Sequence, residues 1–190
     1  QFKVADVFEA YEDKSFWAGY DINFWDLFDE PSFGYPSTLP TPNGHGVIPL
    51  DTLTNYSTVI WTGENNSIEK DFWNKTDVSS YVKMGGNVIL FLKNGRSYID
   101  DEMLESIGIT WIEPENAIIA NCISANPDLS SISLPSPQYF CAIFDTTFTN
   151  ETSKMLFVDS EIYGREVGIG VWNKPKYGGW YKDDGRQIVL

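Results

Sequence analysis

Thr58-Val-Ile-Trp-Thr62, closed by Gly63-Glu64, and Asn87-Val-Ile-Leu-Phe-Leu92, opened by Gly85-Gly86, are the stretches on which the fold turns. Each is a short, nearly unbroken apolar run rich in β-branched residues. That is the pattern of a strand covered on both faces, as in a parallel sheet. Between them Ile68, Phe72, Trp73, Val78, Tyr81 and Val82 recur with a weak helical period, and the glycine pair supplies a stop. A strand, helix, strand unit of about 30 residues is long enough for a right-handed crossover. The expected architecture is a three-layer α/β sandwich, with a mainly parallel, flavodoxin-like sheet and helices on both faces.

Working outward, Val4, Val7, Phe8 and Tyr11 fit a helix, whereas Phe2, Val4, Asp6 and Phe8 alternate as a strand would, and the helix is favoured. Asp21-Ile-Asn-Phe-Trp-Asp-Leu-Phe-Asp29 reads as a short strand. The span from Pro31 to Pro49, with Pro36, Pro40, Pro42, Gly44, Gly46 and the lone His45, reads as a long surface loop. Asp100-Asp-Glu-Met-Leu-Glu-Ser-Ile-Gly108 carries acid in its first turn and glycine at its end, as an amphipathic helix does. Over 109–150 the apolar runs shorten, Ala117 to Ile119 among them, and suggest a β-rich insertion or addition in the second half. Lys154 to Val158, Val167 to Trp172 and Gln187 to Leu190 read as further strands. One domain is expected over 1–190, and its strand-like ending suggests a fragment of a longer chain.

The 190 residues include 13 Lys and Arg against 27 Asp and Glu, a formal charge of −14, with 42% hydrophobic and 15% aromatic residues. Such a chain can build a core. Without clustered Lys and Arg it lacks what a nucleic-acid binder uses to displace counterions, so no nucleic-acid partner is expected. No apolar stretch approaches the roughly 20 residues of a bilayer crossing, so no membrane span is expected. Cys122 and Cys141 are too few for a four-thiolate zinc site; one disulfide and two buried thiols fit equally well. Asn-x-Ser/Thr sequons at Asn55, Asn65, Asn74 and Asn150 mark polar surface.

Three pieces in order, Gly19-Tyr-Asp-Ile-Asn-Phe-Trp-Asp26, Leu53-Thr-Asn-Tyr-Ser-Thr-Val-Ile-Trp-Thr-Gly63 and Tyr81-Val-Lys-Met-Gly-Gly-Asn-Val-Ile-Leu90, resemble the class I glutamine amidotransferase-like fold. The likeness is strongest to its degenerate domains in secreted bacterial multidomain proteins and to the trimerisation domain of some β-galactosidases. Gly164-Arg-Glu-Val-Gly168 and Gly185-Arg-Gln-Ile-Val189 extend it more loosely into the second half. Active members carry a cysteine on a Gly-x-Cys-x-Gly elbow beside a histidine base. The matching stretch here, Lys93-Asn-Gly-Arg-Ser-Tyr98, has no cysteine, and His45 lies early rather than late.

The resemblance therefore implies a pseudoenzyme: a non-catalytic interaction or scaffolding domain of a larger exported protein, extracellular or on the cell surface. Its partners would be other domains of the parent protein or other proteins. It also implies a vestigial cleft at the strand ends, where Asp26, Glu64, Lys93, Asn94 and Ser97 meet and Lys93 offsets one carboxylate.

Two alternatives stand beside it. Trp172, Tyr177, Trp180 and Tyr181 sit among Pro, Lys and Gly, and Trp172, Trp180 and Tyr181 could form the flat aromatic surface of a carbohydrate-binding or accessory domain. Gly95-Arg-Ser-Tyr-Ile99 starts like a Gly-x-Ser-x-Gly elbow without the closing glycine, and Ser97 with His45 would make a hydrolase. Acid in Ala10-Tyr-Glu-Asp-Lys14 repels phosphate, and no Walker lysine loop is present. Asp29-Glu30, Asp100-Asp-Glu102 and Asp183-Asp184 lack EF-hand spacing. No cofactor or metal is expected.

Overall fold

The apolar runs form neighbouring strands. In a computed structural model of the chain, β1 (Thr58–Gly63) and β2 (Asn87–Leu92) pair in parallel, from Thr58 opposite Asn87 to Gly63 opposite Leu92. The structure describes residues 13, 15, 17–28, 34–35, 37, 41–63, 73–92, 98–99, 103, 108–110, 117–140, 143, 145–147, 153–159, 166–173 and 188–189. The N-terminal segment before residue 13 and most of the helix expected over 100–108 lie outside these residues.

The described helices are α1 (Leu50–Leu53) and α2 (Lys75–Lys83), and α2 lies in the connection between β1 and β2. Its start is set by Asn74, whose side chain accepts from the Asp77 N–H, and Asp77 complements the positive end of the helix. Its end is a Schellman motif: the Gly85 N–H donates to the Val82 carbonyl and the Gly86 N–H to the Tyr81 carbonyl. Gly85 has φ of 105°, a left-handed conformation that a side chain would strain. The inner face of α2 buries Val78, Tyr81 and Val82 against Val88 and Leu90 of β2. Each such aliphatic side chain contributes about 1.5–3 kcal/mol when fully buried. Trp61 of β1 meets the Trp73 ring edge-on at 4.8 Å, Trp73 meets Tyr98 at 5.5 Å, and the Trp73 indole donates to the Tyr98 carbonyl at 2.7 Å.

The second half builds β3 (Ala117–Ser124), β4 (Ile132–Phe140), β5 (Ser153–Asp159), β6 (Val167–Asn173) and β7 (Ile188–Val189). All seven strands join one sheet in the order β1-β2-β7-β6-β5-β3-β4. β7 is parallel to β2, but β6 is antiparallel to β7, and β5, β3 and β4 continue antiparallel. A second core forms there from Ile119, Cys122, Ile143 and Val167, with Leu134, Phe157 and Ile169 packed on it.

The expected three-layer α/β sandwich with a mainly parallel, flavodoxin-like sheet is therefore overturned. Strands dominate the described residues, the two helices have four and nine residues, and four strands form an antiparallel half. The physical reason lies in Val167-Gly-Ile-Gly-Val-Trp172. Its continuity reports burial on both faces, and β5 and β7 provide flanking strands in the antiparallel sense. Residues 117–140, expected as part of an insertion or addition, supply two strands of the same sheet.

The two edges of the sheet differ. β4 carries Pro135 and Pro137, which have no N–H to offer a further strand and blunt that edge. β1 carries neither proline nor charge.

Gly86 is required for a second reason: an added Cβ would fall within the ring of Tyr81, which is only 2% exposed. Gly86→Ala is expected to destabilise the protein by about 1–3 kcal/mol through overpacking, read as a lowered denaturant midpoint. Burial pushes the Tyr81 phenol up to about 12, the Asn87 backbone pulling the other way. The folded state thus favours the neutral phenol, and this stabilisation is complete below the ordinary tyrosine value of about 10. Stability is expected to fall as pH rises from about 10 to 12, and pH-dependent unfolding should show this loss reduced in Tyr81→Phe.

Candidate functional site: a cleft along the outer edge of β1

The segment before β1 is tied together by its backbone. Asn43 N–H donates to the Phe24 carbonyl at 2.8 Å, Asp26 N–H to the Gly44 carbonyl at 3.2 Å and Gly46 N–H to the Asp26 carbonyl at 3.1 Å. Asp26 and His45 form an isolated parallel bridge. Trp25 clamps the pairing: its indole donates to the Gly46 carbonyl at 2.9 Å, and its ring occupies the space a side chain on Gly44 would need.

This unit stands opposite β1 across a cleft of about 230 Å³. Asp21 to Trp25 line one side and the consecutive residues Thr58 to Thr62 line the other, with Asn43, Thr52 and Tyr56 between. Successive strand residues point to opposite faces, so a cleft touching five in a row runs along the strand edge. The Asn87 N–H donates to the Ser57 carbonyl at 3.0 Å, which sets the ladder's phase. Val59 and Trp61 accordingly direct their backbone groups toward β2, and Thr58, Ile60 and Thr62 direct theirs into the cleft.

The walls mix aromatic and amide chemistry. Asn43 Nδ2 donates to Asn23 Oδ1 at 3.1 Å and to the Tyr56 hydroxyl at 2.8 Å, a polar row held by its own members. Asp21 is exposed, and the described lining residues include no Lys or Arg. Trp61 is only 6% exposed, and its indole N–H is buried without an acceptor. An unmet buried donor costs about 1–3 kcal/mol.

Of the residues expected at a vestigial cleft, Asp26 is described, and its carboxylate serves the loop: it accepts from Phe28 N–H at 2.9 Å and from the Tyr35 hydroxyl at 2.7 Å. Glu64, Lys93, Asn94 and Ser97 lie outside the described residues. His45 is exposed and its Nδ1 meets the Phe28 carbonyl, so that nitrogen carries the proton and donates. Of the expected aromatic surface, Trp172 is half-buried in β6 with the Lys154 ammonium 5.6 Å from its ring centre; Trp180 and Tyr181 lie outside the described residues. Neither Asp26 nor Trp172 is among the cleft-lining residues.

Cys122 is a buried free thiol, pushed up from its usual value by burial and then by the Asp159 charge, while Cys141 lies outside the described residues. Among the described residues no three His, Cys, Asp or Glu side chains gather as a metal site, and no helix is long and apolar enough to cross a membrane.

No family model and no curated protein matches the chain. Among solved structures it is similar to an IFT52 N-terminal domain (mmIFT52), at 12% identity and a TM-score of 0.49, covering 78% of this chain and 71% of that one. It is also similar to a cytoplasmic protein from Salmonella typhimurium, at 10% identity and a TM-score of 0.43, covering 78% and 68%. Neither likeness carries an argument about function. The largely antiparallel, strand-rich sheet overturns the amidotransferase-like assignment. Nothing found supports secretion, which that assignment implied.

The sequence signal for the cleft was the density of Trp17, Phe24, Trp25 and Tyr56 among Asp21, Asn23 and Asn43. The clamp itself is testable. Gly44→Ala is expected to cost about 1–3 kcal/mol by displacing the Trp25 ring. In a double-mutant cycle with Trp25→Leu the two costs should be less than additive, because the smaller side chain vacates the space; additive costs would show no contact between them.

Proposed function

We propose that this is a non-catalytic interaction domain whose working surface is the cleft beside β1, and whose partners are polypeptides, either other domains of its parent protein or separate proteins. The observation that carries this is the run of five consecutive strand residues along one wall, which presents main-chain donors and acceptors to an incoming chain. The other walls suit recognition: flat aromatic surface and the Asn23, Asn43 and Tyr56 row, whose hydrogen bonds hold it in place. Preorganised walls lower the ordering cost of binding.

Panning a displayed library of random peptides against the protein tests this. Enriched peptides should bind reversibly, be recovered intact, and lose about tenfold in affinity for Asn43→Ala. Selection of sugars on a glycan array with no peptide enrichment would replace this function with carbohydrate binding, and cleavage of the bound peptide would replace it with hydrolysis.

A further inference from the structure

We propose that the outer edge of β1 takes up an extended, Lys- or Arg-bearing polypeptide segment as an added strand of the sheet. This rests on the cleft being the interaction surface and specifies how the partner sits and what it carries. In strand addition the main chain supplies affinity and alternate side chains supply specificity. The backbone N–H and C=O groups of Thr58, Ile60 and Thr62 are directed into a cleft rather than into the ladder with β2. This edge lacks the protection found at the other edge of the sheet: β4 is blunted by Pro135 and Pro137, whereas β1 reads Thr-Val-Ile-Trp-Thr-Gly.

The charge of the occupant follows from its surroundings. The chain carries −14 overall, Asp21 is exposed on the cleft wall, and no described lining residue is cationic. An anionic strand would be repelled there, while Lys or Arg at the position facing Asp21 would be drawn in and would fix the register.

The test uses a capped octapeptide alternating Val and Lys, with a Val and Glu counterpart. The Lys peptide should bind about tenfold or more tightly than the Glu peptide, a preference that shrinks in Asp21→Asn and in high salt. On binding, amide exchange at Thr58, Ile60 and Thr62 should slow while Val59 and Trp61 change little. N-methylation of the peptide amides along one edge should abolish binding, and along the other edge should leave it intact. Thr62→Pro, which removes an outward donor but no ladder donor, should weaken binding about tenfold; the methylated peptides give the same answer on the natural protein if that variant misfolds. Equal tolerance of both methylation patterns, or unchanged exchange at Thr58, Ile60 and Thr62 with peptide bound, would overturn strand addition while leaving the cleft an interaction site. Equal binding of the Glu peptide would overturn the cationic occupant. Failure of both octapeptides and of every library peptide would remove the interaction function as well.

Discussion

The contact on which the first half of the sheet depends is the Tyr81 ring lying over the bare Cα of Gly86 while its hydroxyl donates to the Tyr56 carbonyl at 2.9 Å. One side chain thereby joins the end of α2, the turn into β2 and the segment entering β1. The turn can pass so close because Gly86 has no side chain and Gly85 adopts a left-handed conformation. Asn87 completes the junction, with both its backbone N–H and its side-chain amide donating to the Ser57 carbonyl. Register between β1 and β2 is fixed from this corner, and the direction of every outward group on β1 follows from that register.

What was legible in the sequence was local. Continuous apolar runs gave β1 and β2, and a weak helical period closed by Gly85-Gly86 gave a helix between them, because stops and burial patterns are written in neighbouring residues. Strand direction in the second half was not legible. Val167 to Trp172 would look the same between parallel or antiparallel neighbours, and its partners, Ser153–Asp159 and Ile188–Val189, lie at different distances along the chain. Contacts of that kind are decided by the whole sheet rather than by a window of sequence.

The site was less legible still. Asp26 read as a polar group at a strand end, yet its carboxylate closes a local turn onto Phe28, a habit of Asp in loops. Trp61 lies in a continuous apolar run and is buried, as that pattern implies, but Trp25 is half-buried and spends its indole N–H on holding Gly46. The cleft exists because residues 21–28 and 43–46 bridge to each other before the chain enters β1. No residue type signals that pairing in advance.

A sheet of seven strands must do something with two edges, since unpaired backbone groups on a strand invite pairing with other chains. At β4 the sequence uses Pro135 and Pro137, whose missing N–H groups cost the edge its ability to template. At β1 the same problem is met differently: residues 21–25 and 43–56 stand beside the strand and narrow its approach to a cleft. A large negative charge then discourages pairing of two copies through this edge, because like charges oppose each other's approach. An edge that is walled and belongs to a strongly anionic chain, but is not capped by proline, resists self-association while keeping its hydrogen-bonding groups available. On the proposed reading, that combination separates access by a chosen partner from access by any strand.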